Sequence, residues 1–232
     1  MSAAPKESRR AHVPHGGHTG HEPSPFLSDF LYRLLGIGSY HRELVEQAGI
    51  GPDQRVLEIG CGAGNLTILA KRLHPDAEIL GLDPDPNALA RAGRKVGRAR
   101  LSIRLDQGFA QELPYPDASF ERVLSAFMFH HLGPEEKEAA LREVRRVLKP
   151  GGSLHLLDFE SEQAHSGSFL ARLSHRNHRH EHPRIHFGGH IPTLMREAGL
   201  ADPTEVAHRV TKVLGRVTYY SATLPRAESG AN

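Results

Sequence analysis

The sequence predicts an α/β fold: an open, mostly parallel, doubly wound sheet with helices on both faces and an antiparallel hairpin at its end. Three observations carry that expectation. From Gly51 onward, short runs rich in Val, Ile and Leu alternate with amphipathic segments of helix length. Those runs are apolar through most of their length, which suits strands covered on both faces. The first run leads directly into a glycine-rich loop and then a helix, the order in which open α/β sheets build ligand sites beyond the carboxyl ends of their strands.

Taken in order, residues 1–25 are polar and rich in Pro, Gly and His, and are expected to form a disordered arm. Phe26–Leu35 sets Phe26, Phe30, Leu31 and Leu34 on one helical face. Gly36-Ile37-Gly38 is read as a break, and Tyr40–Ala48 as a second helix closed by Gly49. Strands are expected at Arg55–Ile59, Glu78–Leu82, Leu101–Leu105, Glu121–Phe127 and Ser153–Phe159. The intervening helices are Asn65–Leu73, stopped by His74-Pro75, then Pro86–Val96, then Pro134–Leu148 with early acids and late bases, as the helix dipole favours. Its Arg cluster reads as a solvated face, and Pro150-Gly151-Gly152 as its end. Residues 161–190 form an Arg/His-rich insertion without clear periodicity, placed to act as a lid. Helix Ile191–Ala198, capped at Gly199, precedes strands Thr204–Val213 and Arg216–Leu224, joined by a Leu214-Gly215 turn. One domain, 26–224, is therefore expected, with 225–232 a flexible tail.

Composition bounds the function. A chain of 232 residues suits a single domain of ordinary size. The lone Cys61 excludes a disulfide framework and a Cys-rich zinc module. With 29 Lys and Arg against 27 Asp and Glu, the net charge of +2 is too balanced for a protein whose main partner is DNA phosphate. No signal-like stretch is present and no window nears ~18 consecutive apolar residues, so a cytoplasmic location is expected. His12, His15, His18 and His21 recur in the arm, and His165, His175, His178, His180, His182, His186 and His190 in the insertion. Neither cluster has Cys or paired carboxylates beside it, so both are read as polar loops and no metal site is assigned.

The most informative stretch is Val56-Leu57-Glu58-Ile59-Gly60-Cys61-Gly62-Ala63-Gly64-Asn65. Glycines at Gly60, Gly62 and Gly64 allow a sharp turn and close approach of a ligand, and the next helix offers its N-terminal N–H groups. The second strand ends in Asp83, an acid placed to accept both hydroxyls of a ribose. Asn65 stands where the dinucleotide fingerprint has its third glycine, and the loop has no Lys for a triphosphate. Glu58, ahead of the first glycine, opposes a pyrophosphate and tolerates a cation. The ligand expected is a sulfonium nucleoside rather than a phosphorylated one. Cys61 is read as a small packing residue.

These residues, with Leu80–Asp83, Gln111–Phe120, Ser125–Leu132 and Leu141–Leu157, resemble class I S-adenosylmethionine-dependent methyltransferases, and within them the small-molecule and quinone-type enzymes. The resemblance covers residues 40–160 strongly and 190–224 more loosely. It implies a Rossmann-like, seven-stranded, mostly parallel sheet with an antiparallel last strand. It also implies S-adenosyl-L-methionine as cofactor. Asp83, followed by Pro84, would hold the ribose, and Gly60, Cys61, Gly62 and Gly64 would form the loop along the methionine and ribose. Glu58 would order water or the amino group, Phe109 and Ala110 would contact the adenine, and Ser125 would lie beside the methionine tail. Phe109 departs from the family, which commonly has an acid there to accept from the adenine amino group; Asp106 is a neighbouring substitute.

Methyl transfer needs a general base only where the acceptor is protonated at neutral pH. His130 and His131, after the fourth strand, are the candidates. The acceptor expected is a small organic molecule of amphiphilic or anionic character, given the Arg and His of the insertion. Three alternatives stay open on the sequence alone: methylation of a protein or RNA, a non-catalytic S-adenosylmethionine-binding or metal-buffering role, and a nicotinamide oxidoreductase, which Glu58 and Asn65 disfavour. Cytosine-C5 chemistry lacks the nucleophilic Cys it needs.

Overall fold

The computed structural model describes residues 36–159, 191–211 and 214–226. The Phe26–Leu35 helix, the His-rich arm, the insertion and most of the tail lie outside the described residues. The elements are α1 (Ile37–Ala48), β1 (Arg55–Ile59), α2 (Asn65–Leu73), β2 (Glu78–Asp83), α3 (Pro86–Ala99), β3 (Arg104–Gln107), β4 (Phe120–Ala126), a 3₁₀ turn at Phe129–His131, α4 (Pro134–Val147), β5 (Leu148–Phe159), α5 (Ile191–Glu197), β6 (Ala201–Thr211) and β7 (Gly215–Thr223). They form one seven-stranded sheet in the order β3-β2-β1-β4-β5-β7-β6. Pairing is parallel from β3 to β5, and β7 runs antiparallel to both β5 and β6. The doubly wound architecture is thus borne out. Among the described residues no helix is long and apolar enough to cross a membrane.

The period-two alternation of each central strand separates two cores. Val56, Ile79, Leu124 and Leu157 meet Leu44 and Val45 of α1 and Leu66 and Ala70 of α2. Leu57, Leu80, Val123, Leu154 and Leu156 face the other way, onto Leu141 and Val144 of α4 and Met195 of α5. The strand order reverses between β1 and β4, and the loops after those two strands open at that switch point.

Four expectations need correction. Helix α1 starts at Ile37, with left-handed Gly36 as its N-cap, so Ile37 and Gly38 form its first residues rather than a break ahead of it. Strand β3 begins at Arg104, because its partners are the carboxyl-terminal residues Leu80–Asp83 of β2. Pro150-Gly151-Gly152 does not end a helix: α4 stops at Val147, and the Pro-Gly-Gly lies inside β5, where the β4 register shifts between Phe120 and Arg122. Nor are all strands buried, since β6 is an outer strand with Val206 and Val210 exposed.

The Arg cluster of α4 also divides. Arg142 pairs with Glu138 on the exposed face, but Arg146 is a staple. Its guanidinium donates to the carbonyls of Leu113 and Tyr115 and to Asp117 and Glu143 at 2.7–2.9 Å. It fastens the segment before β4 to α4. Arg146→Ala should cost roughly 1–3 kcal/mol in urea unfolding, since a charged hydrogen-bonding group is lost and the carbonyls of Leu113 and Tyr115 each lose a donor. Arg146→Lys should recover only part of it, because one ammonium cannot match the fork. Arg142→Ala should be nearly silent.

Candidate functional site

The glycine loop is fixed by backbone bonds to the neighbouring strand. The N–H groups of Gly60 and Cys61 both donate to the carbonyl of Leu82, at 2.8 and 3.0 Å. Asp83, the last residue of β2, then completes the joint. Its Oδ2 accepts the N–H of Gly62 at 2.8 Å and its Oδ1 the N–H of Asp85 at 2.9 Å. A carboxylate oxygen holding one such bond keeps a further acceptor site, so Asp83 can shape the loop and still receive hydroxyl groups.

The three glycines differ in what surrounds them. A Cβ on Gly60 would strike Met128 Cγ at 2.3 Å, and one on Gly64 would press on Ala92 Cβ at 3.0 Å. Those two positions let the loop after β4 and helix α3 pack closely. Gly62, at φ 50°, would point a Cβ into open space, the cradle a ligand laid along the loop would fill. Cys61 is packing, as expected: its sulfur would lie 2.9 Å from a Cβ on Gly81, and burial pushes its thiol up.

Glu58 is not a strand-end acid in water; it is 3% exposed and accepts a hydrogen bond from the Thr67 hydroxyl of α2. Burial first, and then the nearby Asp83 charge, push its carboxyl up to about 8. Burial also raises Asp83, against the lowering effect of its two backbone N–H bonds. Two carboxyl groups beside an open glycine cradle form a donor set suited to a cationic nucleoside with free ribose hydroxyls. A pyrophosphate would meet repulsion there. The residues present therefore fit the cofactor that the sequence implies.

Around this joint, the N–H of Gly108 donates to the carbonyl of Asp83 at 3.2 Å, and Gln107 Nε2 to that of Pro84 at 3.2 Å. The loop at Phe109 and Ala110 is thereby brought next to Asp83. Ala110 is buried, whereas Phe109 is 63% exposed. Asp106 is engaged elsewhere: its carboxylate accepts from Tyr115 Oη at 3.0 Å and pairs with Arg104 at 2.8 Å. Ser125 is buried at the end of β4 and donates to the carbonyl of Ile59 at 3.2 Å, tying β4 to β1 just before the loop.

The loop after β4 carries Met128 onto Gly60 and then turns through Phe129–His131. Asp158, near the end of β5 and 1% exposed on its side chain, holds this turn. Its Oδ2 accepts the backbone N–H of His130 at 2.9 Å, and its Oδ1 lies 2.7 Å from Nδ1 of the same residue. The His130 ring is fixed in position and orientation, with the ring of His131 3.9 Å away, centroid to centroid. His131 is exposed. Sequence reasoning missed Asp158 and Thr67. The signal for Asp158 was present: it is the only acid in the run Ser153–Phe159 and closes its strand much as Asp83 closes β2.

The comparisons agree with this geometry. A family described as a methyltransferase domain matches residues 56–152, the span from β1 through the beginning of β5. Residues 56–152 thus match a methyltransferase domain, and the fold and crevice around them have the form of the class I S-adenosylmethionine-dependent enzymes. Among its relatives is a demethylmenaquinone methyltransferase of Deinococcus radiodurans, 40% identical over 134 residues, which cover 56% of this chain and 55% of that protein. A ubiquinone/menaquinone biosynthesis C-methyltransferase of Ectopseudomonas mendocina is 38% identical over 141 residues, 57% of this chain and 50% of that one. The chain thus spans about half the length of these curated relatives. In fold, it is similar to a solved S-adenosylmethionine-dependent methyltransferase from Aquifex aeolicus, with a TM-score of 0.59 at 20% identity over 79% of this chain and 89% of that one.

Two predictions follow from the electrostatics and the rim. A carboxyl whose folded pKa lies above its unfolded value holds more protons folded than unfolded, so stability falls as pH rises between the two. For Glu58 that window runs from about 4.5 to about 8. His41 and His155, buried and pushed down to about 4, act with the opposite sign below about 6.5. Between about 6.5 and 8, Glu58→Gln should therefore flatten the loss of stability by up to about 1.4 kcal/mol per pH unit, read from urea midpoints. Phe109→Asp, which restores an acceptor at the rim while Asp106 stays engaged, should tighten S-adenosylhomocysteine binding severalfold in calorimetry.

Proposed function

We propose that this chain transfers a methyl group from S-adenosylmethionine to a small quinone-type acceptor in its reduced, hydroxyl-bearing form. The acceptor class is the one named for its relatives. The observation that carries the reading is the His130 ring held by buried Asp158 beside the glycine loop. In this reading Asp83 takes the ribose hydroxyls. Gly60, Cys61, Gly62 and Gly64 follow the methionine and ribose, and Glu58 faces the cationic end. Pro84, Phe109 and Ala110 bound the adenine, and Ser125 supports the edge beside the methionine tail.

The cofactor supplies a methyl group already activated on a sulfonium. What falls to the chain is to hold the acceptor in line at near-attack distance, to exclude water and to take up a proton. A reduced quinone ring becomes strongly nucleophilic only as its hydroxyl loses its proton, so a base placed at the acceptor raises the rate. With Nδ1 donating to the Asp158 carboxylate, the imidazole carries its lone pair on Nε2, the tautomer of a general base. His130 is therefore assigned as the base and Asp158 as the group that orients it. His131, also a candidate on the sequence, lies against the His130 ring and is assigned to acceptor contact.

His130→Ala should lower kcat about 10²-fold or more on a reduced quinone acceptor, in the range typical of a lost general base. Its affinity for S-adenosylhomocysteine should stay unchanged. Asp158→Asn should lower kcat in the same direction and alter the pH profile, while His131→Ala keeps kcat within a few-fold. Full turnover by the His130 variant would contradict the assignment, and the absence of methyl transfer to any reduced quinone would contradict the acceptor class.

A further inference from the structure

The charge of this chain is balanced as a whole but not locally. Helices α2 and α3 contain Lys71, Arg72, Arg91, Arg94, Lys95 and Arg98 and no Asp or Glu. Lys71 is turned to the carbonyls of Pro75 and Ala77, and Arg91 leans 3.7 Å from Asp85 at the α3 N-cap. The others are grouped differently. A groove of about 880 Å³ runs between α1, α2 and α3, and its lining combines Arg42, Arg72, Lys95 and Arg98 with Ile68 and Leu69. Lys95 donates to Asn65 Oδ1 at 3.0 Å, which links the groove to the residue that follows Gly64. Arg72 and Arg98 are exposed, and Arg42 meets Glu46 only at 3.8 Å on the helix surface.

Such a groove has two chemical requirements. Its cations call for anionic groups spaced over several ångströms, and its apolar lining calls for apolar surface beside them. An anionic phospholipid surface offers both chemistries, phosphate headgroups for the cations and acyl chain for the apolar lining, and each basic residue near such a surface adds attraction that salt screens. A soluble phosphate would satisfy the cations and leave the apolar lining in water.

We propose that this groove docks the protein on an anionic membrane surface. The proposal rests on the quinone-type reading for its purpose, since an amphiphilic acceptor partitions into a bilayer. Docking by α2 and α3 would bring the glycine loop, which leads into α2, to the acceptor's phase.

Sedimentation of the full chain with vesicles tests this without any turnover. The chain should be retained by phosphatidylcholine vesicles that contain phosphatidylglycerol, should not be retained by phosphatidylcholine alone, and should be released by salt. Arg72→Glu with Arg98→Glu should weaken retention about tenfold or more. Arg142→Glu, a reversal on the far exposed face of α4, should leave it unchanged. Methyl transfer to a short-tailed, water-soluble reduced quinone should be the same in all three forms. A failure of that last assay would count against the acceptor class, whereas the vesicle arm would still decide the docking. Equal retention of the double variant, or equal retention on neutral vesicles, would overturn the proposal. So would tight binding of inorganic phosphate without vesicle retention, which marks a soluble-anion site. A disulfide formed readily between Leu31→Cys and Leu69→Cys in a Cys61→Ala background would also overturn it, by showing the groove filled from within the chain.

Discussion

The site depends on one carboxylate. Asp83 terminates β2 and accepts the N–H groups of Gly62 and Asp85, so the same group that ends a strand also sets the curvature of the loop from the adjacent strand. That arrangement is possible because β1 and β2 are parallel and in register, with Ile59 opposite Leu82, which delivers both strand ends to one edge. The glycine cradle, the approach of Gly108 to Asp83 and the start of α3 at Asp85 all follow from that joint. Without the Asp83 carboxylate, two buried-side N–H groups would lose their acceptor and the loop its fixed shape.

The electrostatics of the crevice grow from burial more than from charge count. Glu58 and Asp83 are both taken out of water at the carboxyl end of the sheet, burial raises the proton affinity of each, and the Asp83 charge adds to the rise at Glu58. A site of this kind favours a positively charged ligand, because such a ligand relieves the cost of ionising a buried acid. The other hydrogen-bonded pair of the crevice, His130 with Asp158, lies across the switch point on the β4–β5 side. The β1–β2 side thus offers carboxyl groups to a cationic nucleoside, and the β4–β5 side offers an oriented imidazole to the acceptor.

Much of this was legible in the residues. The bounds of β1 and α2 could be read directly, because Gly60 and Gly64 mark the loop and His74-Pro75 marks the helix end. Asp83 was legible for the same reason: it stands where an apolar run stops. β3 was placed too early because its apolar residues Leu101 and Ile103 precede the segment that finds a partner in β2. The Pro-Gly-Gly of β5 looked like a helix stop, since local turn chemistry does not reveal that a strand can begin before a bulge. Arg146 and Asp158 were missed or misread because their roles are set by partners distant in sequence. Arg146 reaches carbonyls 31 and 33 residues away, and Asp158 meets a residue 28 positions earlier. Periodicity carries no information about such pairs.

The most direct measurement is a crystal structure of the chain with S-adenosylhomocysteine. The account predicts both ribose hydroxyls on the carboxylate of Asp83 and the ligand backbone lying across the open face of Gly62. A ribose turned away from Asp83, or a phosphate-bearing molecule captured in that cradle from the expression host, would contradict it.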